Sequence, residues 1–480
     1  MHYDARGDTM AKKKDNLEDK LSMKRESMWL TLKKKDIKEA MKFAEEYKKF
    51  LKEAKTERET VEYLLTIAEK YGFKDLSKNN QLVPGDKFYV VNREKALALG
   101  VVGKKPLDGF RLVVSHIDAP RIDVKPNPLW EDADSSLALL KTHYYGGIKK
   151  YQWVSRPLAI HGIVYTKDGK RINLRIGEDP RDPVFVIPDL LPHLARKVQG
   201  ERKLFDGIRG EELQLVVGNI PIEDKEIKQK VKMHVLQYLN EKYGIVEEDF
   251  NSADLEIVPA EDPRDVGFDR GLVGAYGQDD RICAYTSFRA ILEVKNPTYT
   301  SIAFFYDKEE IGSDGNVGAQ SNFLEYVLAK VLAMIKPNYT YPEFLEILYR
   351  TKAISADVSA AINPIFKSVH DVQNAAKAGY GVVISKYTGH GGKYGSSEAT
   401  AEFMHEILTL FQNNKVPYQL AELGKVDEGG GGTIAKFFAK YGMDVVDMGP
   451  GVIGMHSPFE LVSKMDVWSS YLAYKVFLSQ

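Results

Sequence analysis

The chain reads as an α/β protein, a mixed sheet sandwiched by helices, interrupted by an inserted, mostly-β domain. Three observations predict this. After residue 266, apolar strand-like runs alternate with amphipathic helical stretches at the spacing of βα units. The same texture precedes residue 125, whereas 125–265 is built of prolines, paired glycines and short alternating strands. Finally, 480 residues exceed one ordinary compact domain. The expected division is 1–124 and 266–480 as two parts of one sheet domain, with 125–265 inserted between them.

In order, 11–56 is dense in Lys and Glu, with Ile37, Met41, Phe43, Ala44 and Tyr47 at helical spacing. Thr56 is an N-cap for a second helix over 57–71, stopped at Gly72. Residues 88–92 and 110–115 are strands, the second running into Ser115-His-Ile-Asp. Pro126, Pro128 and Gly146-Gly147 mark irregular backbone. Strands over 158–165 and 171–176 flank the turn Lys167-Asp-Gly-Lys, a hairpin signal. A strand over 185–188, a short helix over 190–198, a helix over 224–243 closed by Gly244, and a strand over 254–260 complete the insert. Beyond it come helices over 281–294, 317–335, 399–412 and 462–477. Strands over 302–306, 351–357, 381–386, 418–422 and 444–449 alternate with them. Gly429–Gly432 opens a helix at Thr433; it lacks the Lys-Ser/Thr ending of a phosphate-binding loop and reads as a flexible, substrate-facing loop.

Composition excludes several function classes. The formal charge is −1, so no global field favours nucleic acid or an anionic membrane. No apolar run reaches the length of a membrane-spanning helix, and the first residues lack a secretory apolar core. Cys283 is the only cysteine, which excludes an intrachain disulfide and a cysteine-based zinc site and fits a cytoplasmic setting. Met10-Ala-Lys-Lys-Lys reads as an alternative start, making 1–9 an extension.

The chemistry gathers at the ends of predicted strands and other segments. His116 with Asp118, Asp279 with Asp280, Glu309 with Glu310, Asp357, and His456 all sit at or just after such ends, where ligands collect in open α/β sheets. Each has an ordinary reading: a core histidine, a helix cap, a solvated pair, a turn. Together, two imidazoles and several carboxylates are the donor set of Zn²⁺, Mn²⁺ or Co²⁺. A central carboxylate can bridge two such ions, which polarise a carbonyl and acidify a shared water. A free carboxylate then serves as general base, and Asp118 is suited to orient an imidazole.

The stretches Ser115-His-Ile-Asp-Ala-Pro-Arg, Gly277-Gln-Asp-Asp-Arg, Asp307-Lys-Glu-Glu-Ile-Gly-Ser, Ser355-Ala-Asp and Gly454-Met-His-Ser-Pro resemble the M18 metallo-aminopeptidases, of the co-catalytic zinc peptidase clan. The motifs occur in the family's order. The resemblance implies His116, Asp279, Glu310, Asp357 and His456 as metal ligands, with Asp279 as the bridge. It also implies Glu309 as general base and Asp118 as the carboxylate behind His116. The sheet domain would then be catalytic and the insert a dimerisation and substrate-shaping domain. Within the insert, Ile187-Pro-Asp-Leu-Leu-Pro-His193 matches a segment whose histidine reaches a neighbouring active site, and Lys386 matches a substrate-contacting lysine. The resemblance further implies two divalent ions per subunit, zinc foremost with cobalt or manganese as alternatives. Peptides with a free N-terminus are the implied substrates, and a homo-oligomer, commonly a dodecamer, the implied assembly. The stretch Gly389-His-Gly-Gly-Lys and the Trp153 segment depart from the eukaryotic members that prefer acidic N-terminal residues; the bacterial branch is closer. The rival readings are another two-metal amide hydrolase, such as a carboxypeptidase or deacylase, and a non-catalytic scaffold.

Overall fold

In the computed structural model, which describes residues 17–480, a nine-stranded sheet forms the centre. The alternative start at Met10 lies outside the described residues. Phe110–His116 runs parallel to Thr300–Tyr306 on one side and to Lys352–Ala356 on the other, and Asp444–Gly449 continues the parallel set. Antiparallel Ala96–Val101 and Val382–Ser385 flank this core. The central strands are apolar on both faces, as a sheet covered on both sides requires. Alternate residues divide between two cores. Leu97, Val113, Phe305 and Val446 pack with Phe50, Tyr285, Phe403 and Phe477, from helices Lys34–Glu53, Gln278–Glu293, Ala401–Asn414 and Lys464–Leu478. Ala98, Leu112, Phe304 and Val445 face the opposite way, against Phe323, Phe344 and Phe438 of helices Phe323–Ile335, Tyr341–Tyr349 and Ala435–Ala439. The Thr56 cap forms as a full capping box with Glu59 at the start of Glu57–Lys70.

A six-stranded antiparallel sheet is built from residues 121–259 alone, with helix Lys230–Tyr243 packed on it through Val231, Val235 and Leu239. Here the structure corrects the sequence reading. The stretch taken as irregular backbone is a long hairpin, Arg121–Asp132 paired with Leu137–Tyr145. Pro126 and Pro128 fall where its register shifts, between Val124 and Leu129, so neither proline removes a regular ladder bond. Residues 185–188 form only isolated bridges. Two helices start later than expected, at Lys230 and Phe323. The charged run 223–229 has no buried anchor, and Gly315 at φ +96° holds 313–322 in turns.

A five-stranded sheet joins distant segments: Leu272–Ala275 pairs with Glu460–Ser463, which pairs with Gly451–Ile453. This register sets Ala275 opposite Glu460, directly before the Asp279 turn. Among the described residues, no helix is long and apolar enough to cross a membrane.

The sheets meet tightly at Gly449, where an added Cβ would lie 2.0 Å from the Asp357 carbonyl oxygen. Gly449→Ala is therefore expected to cost about 1–3 kcal/mol by overpacking, read as a lower urea midpoint. A parent-like midpoint would contradict this packing.

Candidate metal centre

Three neighbouring parallel strands deliver the first of the expected ligands. His116 closes Phe110–His116, Asp307 to Glu310 follow Thr300–Tyr306, and Asp357 follows Lys352–Ala356. Asp279 lies in the first turn of Gln278–Glu293, where it and Asp280 leave helical geometry and share a cis peptide bond. His456 sits in the loop between Gly451–Ile453 and Glu460–Ser463.

These segments converge on Asp279. Its Oδ1 is 3.3 Å from His116 Nε2 and its Oδ2 is 3.2 Å from His456 Nε2. Each imidazole faces one further carboxylate: Asp357 Oδ1 lies 3.8 Å from His116 Nε2, and Glu310 Oε2 lies 3.5 Å from His456 Nε2. Asp280 is also buried, but its Oδ2 turns to the backbone N–H of His116. Asp279 thus faces both imidazoles. Glu309 Oε2 stands 3.9 Å from His116 Nε2, and Glu309 lines a cleft of about 800 Å³ that opens over the centre.

Both imidazoles are aimed by their second nitrogen. His116 Nδ1 lies 3.1 Å from the Asp118 carbonyl and 3.2 Å from Asp118 Oδ1, and His456 Nδ1 lies 3.1 Å from the Gly147 carbonyl. These partners only accept, so Nδ1 donates in each case and Nε2 is left to face Asp279. Asp118 also accepts from the backbone N–H groups of Glu309 at 3.1 Å and Glu310 at 3.2 Å, and from the Tyr145 hydroxyl at 2.7 Å. One carboxylate therefore orients the first imidazole and pins the acidic turn.

The electrostatics fit a cationic occupant. His116 Nε2, Asp279 Oδ1 and Glu310 Oε1 are buried without a hydrogen-bond partner. Such atoms cost about 1–3 kcal/mol each when left unpaired. Burial raises the Glu309 carboxyl to about 8, against the charge of His116 and with that of Asp357. Burial and the Asp279 charge push Glu310 well up. Burial opposes charge on Asp279 too, but the two imidazoles outweigh it and hold Asp279 well below the usual range. Burial likewise disfavours charged His456, yet Asp279 and Glu310 push it up to about 11. Carboxylates crowded this closely take up protons unless a cation replaces them. Mixed imidazole and carboxylate donors suit zinc and its neighbours. The residues present therefore fit a divalent ion: His116, Asp279 and Glu310 offer ligand atoms within 4.8 Å of one another, as do His116, Asp280 and Asp357.

Two expected substrate residues are not brought to this centre within one chain. His193 is exposed on helix Pro192–Val198 and does not line the cleft. Lys386 does not line it either; Ser385 and Tyr387 do, and Lys386 Nζ lies 3.7 Å from Glu398. Sequence reading missed Tyr145, Gly147 and Glu460. The glycine pair was visible, but as a loop signal. An added Cβ would lie 3.2 Å from His456 Nδ1 at Gly147 and 3.3 Å from Glu310 Cβ at Gly146, so the pair lets that backbone approach both ligands.

Metal binding must displace protons from this centre, because His456 and Glu309 hold theirs above neutrality without a cation. Zinc titration of metal-free protein at neutral pH is expected to release protons, and the apparent affinity is expected to tighten as pH rises. Calorimetry in buffers of different ionisation enthalpy reads this directly; heats independent of buffer would contradict it.

Comparison with known proteins gives the family. The family model described as aminopeptidase I zinc metalloprotease (M18) matches residues 50–478. An M18 family aminopeptidase 1 of Borrelia garinii subsp. bavariensis is 51% identical over 461 residues, covering 95% of this chain and 100% of that protein. The crystal structure of the M18 family aminopeptidase from Thermotoga maritima superposes with a TM-score of 0.91 at 50% identity, covering 95% of this chain and 99% of the other. At 21% identity the S. cerevisiae mApe1 dodecamer shares the fold alone, with a TM-score of 0.73 over 91% of this chain and 96% of that one. The chain belongs to the M18 family of zinc metallo-aminopeptidases.

Proposed function

We propose that this chain removes N-terminal residues from peptides by a two-metal mechanism, with Asp279 as the residue that would hold both ions. The observation that carries this reading is the division of the Asp279 carboxylate, one oxygen toward each imidazole. Two bound ions supply Lewis acidity toward the scissile carbonyl and an acidified water. The remaining work falls to the chain. Asp118 and the Gly147 carbonyl fix the two imidazoles. Glu309 takes the proton of the attacking water and delivers it to the leaving amine. Its carboxylate makes no hydrogen bond among the described residues, which leaves both oxygens free to move a proton. Nearby positive charge favours its ionised form and lowers it from the value reached by burial alone. The peptide lies in the cleft between the carboxylates and the glycine-rich wall of Gly389 and Gly429–Gly432.

The segment 121–259 serves as the insert that pairs subunits and shapes the substrate site. Leu190, Leu191, Leu194, Val198, Leu204 and Phe205 are each at least 40% exposed along one short stretch of it, an apolar surface that suits a partner. His193 lies on the same helix. In a pair of subunits it is placed to enter the cleft of its partner, and assembly extends to a dodecamer, as in the yeast relative. Zinc is the first choice of metal, with cobalt or manganese as replacements. The single, buried Cys283 fits a reducing, cytoplasmic setting.

Glu309→Gln is expected to lower kcat about 10²–10⁴-fold while metal content stays at the parent level. Full turnover in that variant would remove Glu309 from its role. Acetylating the N-terminus of a cleaved peptide is expected to abolish hydrolysis; continued cleavage would favour a different two-metal amide hydrolase.

A further inference from the structure

Glu460 is buried, with 1% of its surface exposed. Its carboxylate accepts three backbone N–H groups. Oε2 takes Gln278 at 2.5 Å and Asp279 at 3.1 Å; Oε1 takes His456 at 2.7 Å. The Gln278 side chain returns the contact, donating to the Glu460 carbonyl at 2.7 Å and to the Val273 carbonyl at 3.2 Å. Tyr47 donates to the Gln278 amide oxygen at 3.3 Å. This accounts for the glutamine of the Gly277-Gln-Asp-Asp-Arg stretch. It also holds His456, which sits at φ +64°, a backbone conformation that a non-glycine residue adopts only with support.

We infer that Glu460 is a positioning residue that sets the spacing between Asp279 and His456, and so builds the half of the centre holding the second ion. The inference rests on the two-metal reading. Its basis is geometric: the two oxygens of one side chain bind the amides of two ligands whose segments are otherwise remote in sequence. Asp357 and His116 are fixed separately, by their own strands and by Asp118. Loss of Glu460 therefore acts more strongly on the ion that Asp279 and His456 would hold than on the one that His116 and Asp357 would hold. An amide at this position keeps the volume but turns an N–H group toward a backbone N–H, so one of the three bonds becomes a repulsion.

The test is Co²⁺ titration of full-length, chelator-stripped protein, followed by visible absorption. The parent is expected to fill two sites. Glu460→Gln is expected to weaken one of them about 10–100-fold, as for other groups that orient ligands, and to weaken the other less. Parent-like affinity for both ions, or equal loss at both, would overturn the inference. A second measurement needs no variant. In the unmodified metal-free protein, amide hydrogen exchange at Gln278, Asp279 and His456 is expected to be as slow as in the strand Glu460–Ser463. Exchange at the rate of an open loop would also overturn it. A parent that binds a single ion would instead refute the two-metal reading, and the exchange experiment would still decide the role of Glu460.

Discussion

The centre of this molecule is a problem of like charge. Asp279, Glu309, Glu310 and Asp357 crowd around two imidazoles in a region largely shut off from water. Carboxylates in such a place can stay ionised only beside positive charge. The imidazoles satisfy Asp279, which lies between them, but not Glu309 and Glu310, which burial pushes toward the protonated form. Divalent cations resolve the conflict more completely than protons do, because each brings two charges and accepts several donors at once. The unpaired atoms of His116, Asp279 and Glu310 mark where that resolution is still owed.

The fold answers by gripping backbone rather than side chains. Asp118 extends from the strand end that bears His116 and holds the N–H groups of Glu309 and Glu310. Glu460 extends from the five-stranded sheet and holds those of Asp279 and His456. Each carboxylate spends its charge on amides, so neither competes with the ligands for a cation. Backbone bonds also fix where a ligand's Cα stands, leaving its side chain free to adapt when an ion enters. The large sheet supplies three ligand positions through its parallel strand ends, and the small sheet supplies the register that brings Ala275 beside Glu460.

Much of this was legible in the sequence because its signals are local. A buried apolar run that stops at an acid or a histidine marks a strand end, and five such stops in order pointed to one centre. Tyr145, Gly147 and Glu460 gave no such signal. Tyr145 acts through a hydroxyl directed at Asp118, and Gly147 through a carbonyl that meets a residue 309 positions away. Glu460 acts on amides 181 and 182 positions earlier, and any residue type carries those amides. The hairpin from Arg121 was hidden for a different reason. Pro126 and Pro128 read as breakers, and only the register shift shows how a strand carries them.

Charge also bears on which side chain the cleft admits. A lysine that selects acidic residues must present an uncompensated ammonium to the site. Lys386 does not line the cleft and lies 3.7 Å from Glu398, and Lys393, which does line it, lies 3.2 Å from the same glutamate and over the ring of Tyr387. Glu398 thus partly neutralises both cations at this strand end. An acidic side chain entering there would have to displace an existing ion pair, and an exposed pair of this kind contributes little either way. Glu422, held by the Tyr387 hydroxyl, adds negative charge to the same wall. The glycine run from Gly389 to Gly392 leaves that wall open apart from His390. Two further cations, Lys425 and Lys436, line the same cleft, so its charge does not by itself disfavour an acidic N-terminal residue.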